Sequence, residues 1–270
     1  MAGRRRIAVA ATAPFGADVL ERLAAEHDVV QLLTRPDRPR GRGRKLAAPP
    51  AKEKAERLGI PVTQAARLDE AVELAADTVV VCAYGLLIPP PLLERGLWLN
   101  VHPSLLPRWR GAAPVERALL AGDAETGVTI HRTVEALDAG PIAAQEAFAV
   151  GPEDDAGAVY ARAAEVAARL LGDLLARDSI GFEDQPEDGV TYAEKIRPED
   201  RELDLDAPAQ EVVNRVRALS PHIGARATVD GRPLLVWRAG AGADGGLELL
   251  EVQPEGRRRM TWDEYLRGRR

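Results

Sequence analysis

Only one of the 270 residues is a cysteine, so no disulfide can form within the chain and a cysteine-rich metal site is excluded. A reducing, cytoplasmic compartment suits that usage. Long apolar runs are missing too: no stretch approaches the roughly 20 residues that cross a bilayer, so no membrane partner is expected. The nearest imitation of a leader, Arg4–Arg6 followed by Ile-Ala-Val-Ala-Ala, stops at Pro14 and meets Asp18, Glu21 and Arg22. That pattern reads as a buried strand rather than a secretory signal. Positive charge is not in excess, because 36 Lys and Arg face 42 Asp and Glu for a net charge of −6, and a wholesale nucleic-acid coat is excluded. Gly and Pro follow no period, which rules out collagen. With 46% hydrophobic and 29% charged residues the composition is that of a globular chain, of a size for one large domain or two ordinary ones.

The charge that is present is unevenly placed. Arg35, Arg38, Arg40, Arg42, Arg44 and Lys45 against Asp37 give this segment +5 and leave −11 for the rest. Gly41 and Gly43 are expected to keep the loop mobile and Pro36 and Pro39 to keep it extended, as in a phosphate-binding loop that orders on contact. A solvated charge run is the bland alternative. Arg257, Arg258, Arg259, Arg267, Arg269 and Arg270 make a second basic patch near the end of the chain.

Short apolar runs alternate with helical patterns through the first two thirds. Strands are expected at 6–11, 29–34, 78–83, 98–102, 128–134 and 142–150, and helices at 17–26, 51–58, 89–95 and 155–176. Thr78 to Ala83 is apolar throughout, the mark of a parallel strand covered on both faces. The rhythm predicts an α/β fold, an open and mostly parallel Rossmann-like sheet with helices on both faces, over residues 1–176. Residues 177–201, rich in Asp, Glu, Pro and Gly, read as a connecting segment. Residues 202–270 read as a small β-rich domain: a helix at 208–219, strands at 225–229 and 233–238 joined by the hairpin signal Asp230-Gly231, a flexible loop at 239–246, a strand at 247–252 and a last helix at 262–267.

Polar chemistry concentrates in Asn100-Val101-His102-Pro103-Ser104-Leu105-Leu106-Pro107, which leaves the carboxyl end of a central strand. Asn100 and His102 share a strand face, and two prolines stiffen the loop beyond the strand. Asp138 comes after the next strand and could converge on them. Together they offer donors for a carbonyl oxygen becoming anionic and an acceptor for an amine proton, which is what acyl transfer to an amine needs. Competing readings exist. Asn100 capping a turn beside a surface histidine is one; a hydrolase using Ser104 is another, but no G-x-S-x-G elbow is present. A metal site from His102, His131 and Asp138 lacks the H-x-x-x-H spacing, so no metal is expected. Cys82 lies in an apolar strand and reads as core.

These residues resemble a known family. Asn100-Val-His102-Pro-Ser-Leu-Leu-Pro-Arg-Trp-Arg110-Gly111-Ala-Ala-Pro114, with 122–130 and Leu137-Asp138-Ala-Gly140, is similar to the 10-formyltetrahydrofolate-dependent formyltransferases, and Pro36-Asp37-Arg38-Pro39 with Gly41-Arg42-Gly43, together with 191–195, resembles the branch acting on tRNA. The resemblance implies transfer of a formyl group from 10-formyltetrahydrofolate to the amine of methionyl-initiator tRNA. Asn100 and His102 would hold the formyl oxygen, and Asp138 would help take the amine proton and tune His102. Folate would lie along Tyr84, Gly85, Leu86, Ile88 and Pro89, read mostly through backbone groups, and beside Ser104, Leu105, Leu106, Pro107, Leu137 and Gly140. Arg38, Arg42 and Lys45 would contact the tRNA. No stable protein partner is implied. Members acting on amino-sugar nucleotides, or a noncatalytic RNA-binding relative, are the rival readings. Two departures stand out: Ala11 occupies a position where the family has Gly, and the C-terminal domain is shorter than the family's usual OB-like β-barrel, which should weaken the tRNA surface more than the chemistry.

Overall fold

The computed structural model describes residues 4–40, 45–242 and 245–268. In chain order the elements are β1 (Arg6–Ala11), α1 (Pro14–Glu26), β2 (Asp28–Thr34), β3 (Arg38–Arg40), β4 (Lys45–Ala47), α2 (Pro50–Arg57), β5 (Val62–Gln64), β6 (Thr78–Cys82), α3 (Pro90–Leu93), β7 (Leu97–His102), β8 (Arg110–Gly111), α4 (Pro114–Ala121), β9 (Glu125–Arg132), β10 (Ile142–Ala149), α5 (Ala156–Leu175), β11 (Tyr192–Ala193), α6 (Ala209–Leu219), β12 (Ala225–Val229), β13 (Arg232–Ala241), β14 (Leu247–Pro254), β15 (Met260–Thr261) and α7 (Trp262–Arg267). Two compact units divide the chain, one of residues 1–110, 127–147 and 161–191, the other of 111–126, 148–160 and 192–270.

The first unit is built on a seven-stranded sheet in the order β10-β9-β7-β6-β1-β2-β5. Its core pairs are parallel, and β9 runs antiparallel to β7. Ile7 to Ala11 are wholly buried, as the unbroken apolar run requires of a central strand covered on both faces. Helix α1 packs on β1, β2 and β6, and α2 on α1, β2 and β5. Because β2 lies on one side of β1 and β6 on the other, strand order reverses between β1 and β6, and ligands of such sheets bind at the carboxyl ends beside that point. Thr12 Oγ1 donates to the Tyr84 carbonyl at 2.8 Å there. A Cβ on Gly16 would stand 2.4 Å from the Cys82 carbonyl oxygen and 2.8 Å from Ala11 Cβ, so Gly16 makes room for Ala11. Trp98, fully buried, donates its indole N–H to Leu92 O at 2.8 Å.

Helix α1 starts at Pro14 rather than Ala17 because proline is well suited to the first helical turn. The edge strand β5 and helix α4 were not foreseen, β5 being too short to show a pattern. The flanks of the basic segment pair antiparallel as β3 and β4, with Arg38 opposite Ala47 and Arg40 opposite Lys45; residues 41–44 of the expected loop lie outside the described residues.

The second unit carries the antiparallel sheet β12-β13-β14-β15. Asp230 and Gly231 turn the β12–β13 hairpin with positive φ of 48° and 73°, as expected of that dipeptide. The loop expected from Ala239 is corrected: β13 continues to Ala241, pairing Ala239, Gly240 and Ala241 with Leu249, Glu248 and Leu247. Small residues carry no apolar alternation to announce a strand, but their backbone groups pair as well as any. Val212, Val216, Leu219, Ala225, Val236, Val252 and Tyr265 form the core under this sheet, and Val115, Leu119, Val159 and Ala218 form a smaller cluster. Among the described residues no helix is long and apolar enough to cross a membrane.

Candidate active site

Strand β7 delivers Asn100 and His102 to one face, with Asn100 half-buried and His102 4% exposed. The antiparallel register sets Asn100 opposite His131 and His102 opposite Thr129 on β9. Asp138 sits on the turn after β9 in left-handed backbone, φ 47°, which Asp tolerates better than most residues. The turn is tight: a Cβ on Gly140 would fall 1.8 Å from the Arg132 carbonyl oxygen, so only glycine fits.

The three predicted side chains meet. Asn100 Nδ2 donates to Asp138 Oδ1 at 3.1 Å and lies 3.0 Å from His131 Nε2. His102 Nδ1 is 3.6 Å from Asp138 Oδ2, and His102 Nε2 is 2.7 Å from the Trp109 carbonyl oxygen. A carbonyl only accepts, so Nε2 carries the proton and the Nδ1 lone pair of the neutral ring is turned toward Asp138. Burial pushes the His102 imidazole below its ordinary range, against the upward pull of the Asp138 carboxylate. The ring is therefore kept neutral and ready to accept.

Several supports were not foreseen. Gln185 Nε2 donates to the carbonyls of Asp138 at 2.7 Å and Gly140 at 2.8 Å, and its Oε1 accepts from Arg110 Nε and Nη2. Thr191 Oγ1 accepts from the Trp109 N–H at 2.8 Å, fixing the carbonyl that holds His102. Both lie in the stretch read as a connector, where no strand or helix pattern marks them. Thr129, fully buried, donates to Ser104 O and accepts from the Leu106 N–H and Gln145 Nε2, bracing the loop after β7. His131, weighed in the sequence only as a metal ligand, belongs to the cluster instead. Its signal was the alternation Thr129, His131 along a strand, readable only once its partner strand is known.

The folate-lining candidates divide. Tyr84 and Ile88 are core residues packed with Leu33, Val81 and Trp98, so their side chains face inward; burial raises the Tyr84 hydroxyl to about 12. Gly85 and Pro89 border the same turn with Leu86, which is half-buried. Leu106 is buried and Leu137 exposed, while Leu105 packs over Gly127 and Pro107 O accepts from the Thr191 N–H at 3.3 Å. Ser104 is fully buried and donates its hydroxyl to Arg108 O at 2.7 Å, which removes it as a nucleophile and as a side-chain contact. Cys82 is fully buried and its thiol is pushed well up by burial. Among the described residues no group of three or more His, Cys, Asp or Glu is arranged to hold a metal.

Arg38 and Lys45 are exposed on β3 and β4, and Arg42 lies outside the described residues. The hairpin's base is pinned by Asp37, which accepts from Lys52 Nζ at 2.9 Å and Gln64 Nε2 at 2.8 Å. In the second basic patch Arg259 stacks on Trp237, 3.5 Å from the ring centroid, and Arg258 pairs with Glu264, so these two already have structural partners.

The family described as formyl transferase matches residues 5–175, and the formyl transferase C-terminal domain matches 195–244. The methionyl-tRNA formyltransferase of Paracoccus denitrificans (strain Pd 1222) is 40% identical over 289 residues, 97% of each chain. That of Methylococcus capsulatus (strain ATCC 33009 / NCIMB 11132 / Bath) is 40% identical over 295 residues, 97% of this chain and 96% of that protein. Among solved structures, methionyl-tRNA formyltransferase from Clostridium thermocellum shares the fold with a TM-score of 0.65 at 16% identity, covering 92% of this chain and 98% of that one.

Proposed function

Because the chain belongs to the formyl transferase family, we propose that it transfers a formyl group from 10-formyltetrahydrofolate to the amino group of methionyl-initiator tRNA, with Asn100, His102 and Asp138 around the reacting carbon. The observation that carries this reading is the meeting of a carboxamide donor, a buried neutral imidazole and a carboxylate at the carboxyl edge of the sheet, in a chain 40% identical along 97% of its length to a methionyl-tRNA formyltransferase.

Chemistry follows from the protonation states. The amine lone pair attacks the formyl carbon and the carbonyl pair moves onto oxygen, where the Asn100 Nδ2–H that faces Asp138 in the resting site would turn to stabilise the charge. The attacking nitrogen then loses its proton to the Asp138 carboxylate, with His102 Nδ1 3.6 Å beyond it. That proton would pass on from Asp138 to His102 Nδ1, and the Trp109 carbonyl, accepting from Nε2–H, would steady the resulting imidazolium. Collapse of the tetrahedral carbon breaks its bond to N10 of the folate, which receives the proton. No covalent enzyme intermediate is required. The donor substrate would run along the backbone of Gly85 to Pro89 and past Leu105 to Pro107 and Leu137 to Gly140, while Arg38, Arg42 and Lys45 would meet tRNA phosphates in the cytoplasm.

Purified protein given 10-formyltetrahydrofolate and charged initiator tRNA should yield formyl-methionyl ester. Turnover only on an amino-sugar nucleotide, or tRNA binding without turnover, would overturn the reading.

A further inference from the structure

The ring of His131 is 1% exposed and sits between two fixed partners. Its Nδ1 is 3.0 Å from the Arg132 carbonyl oxygen. Since that oxygen can only accept, Nδ1 carries the hydrogen, and in the neutral ring Nε2 is left as an acceptor. Facing it at 3.0 Å is Asn100 Nδ2. The orientation of the carboxamide is fixed independently, because its nitrogen also donates to Asp138 Oδ1 at 3.1 Å. Turned over, the amide would set its oxygen against a carboxylate and an imidazole lone pair together. His102 carries its proton on the opposite nitrogen, so the two imidazoles, 6.4 Å apart between centroids, are held as complementary tautomers.

We propose that His131 is a positioning residue of the transfer site: protonated on Nδ1, it accepts a hydrogen bond from Asn100 Nδ2 and holds the carboxamide nitrogen toward Asp138 and His102. The inference rests on the reaction assigned above. Asp138 is the other anchor of Asn100, and it loses much of its acceptor strength while it holds the amine proton on the way to His102. The hydrogen that Asn100 Nδ2 gives to His131 is unchanged by that step, so the carboxamide is kept from turning while its other hydrogen, released by the protonated Asp138, serves the oxyanion. His102 and Asp138 are the titratable groups facing His131 across the cluster, Asp138 Oδ1 lying 3.7 Å from Nε2.

Two measurements test this. With four histidines in the chain, long-range 1H–15N correlation at neutral pH, assigned by single substitutions, should report Nδ1–H for His131 and Nε2–H for His102. In kinetics, His131→Leu should lower kcat by about fivefold to tenfold, the worth of one hydrogen bond between neutral groups, with both KM values within about twofold. His131→Gln, whose amide oxygen can accept near the Nε2 position, should recover most of the loss. In the Asn100→Ala background His131→Leu should cost less than about twofold further. An Nε2–H or doubly protonated His131, or a leucine penalty equal with and without Asn100, overturns the proposal. Should the leucine variant not fold, the tautomer decides together with the glutamine variant, whose kcat must then stay within about threefold of wild type. Absence of formylation by the wild type would instead strike the assigned reaction and leave the tautomer result standing.

Discussion

At the scale of single residues, the site is a set of protonation and donor assignments that each neighbour enforces. Under the proposed mechanism Asp138→Ala would remove the amine-proton acceptor, along with one anchor of Asn100, and His102→Ala would remove the imidazole that takes the proton on. Each should lower kcat/KM by at least about a hundredfold, as is usual for a positioned acid, base or oxyanion donor; near-normal rates in a formylation assay would remove these residues from the chemistry. Gly140→Ala acts on the same site through the backbone, since its Cβ would overlap the Arg132 carbonyl. It should cost about 1–3 kcal/mol of stability and reduce kcat by displacing Asp138, readable from urea denaturation alongside turnover. The meeting of Asn100, His102 and Asp138 was legible because polar groups crowd the carboxyl ends of these strands and because two of them share a strand face. His131, Gln185, Thr129 and Thr191 were not. Their contributions are made through partners 16 to 82 positions away, and nothing local distinguishes a threonine that holds a tryptophan amide from one that faces water.

Among the elements, strands and helices with strong apolar period were readable nearly to their ends: β1, β12 and α7 match the expected bounds. Elements whose stability comes from a partner were not. Strands β3 and β4 are three residues each and exist because they pair with one another across the basic segment, while the end of β13 is glycine and alanine paired to β14. The basic hairpin yields an element-scale prediction. Arg38 and Lys45 are exposed on adjacent strands, and each phosphate neutralised contributes roughly 0.7 to 0.9 to the salt slope. Replacing both with Ala should raise KM for tRNA and flatten its logarithmic dependence on salt by about 1 to 2. KM for the folate should hold steady; an equal rise in both constants would place the hairpin elsewhere in the function.

For the whole molecule, buried imidazoles link stability to pH. Burial holds both His102 and His27 below their ordinary range, and neither ring nitrogen of His27 has a hydrogen-bond partner among the described residues. An unfolded chain takes up protons at these groups from about pH 6.5 downward, whereas the folded chain resists until lower pH. Stability is thus complete above that value and declines as pH falls through it. Glu116, raised by burial, opposes this by losing stability as pH rises through its own folded range. The urea midpoint of wild type should therefore fall from pH 7.5 to 5.5 by more than that of His27→Gln; parallel declines would show that His27 carries none of the linkage. The sequence by itself determined the α/β class, the parallel core and the polar residues gathered at the end of β7, because apolar period and polar placement on a strand are local properties of a chain. Tertiary structure decided which nitrogen of each histidine holds a proton, which way the Asn100 amide faces and where Asp138 points. Those depend on single acceptors delivered by β9, the Trp109 turn and residues 185–191, and a hydrogen bond is fixed only when both of its ends are in place.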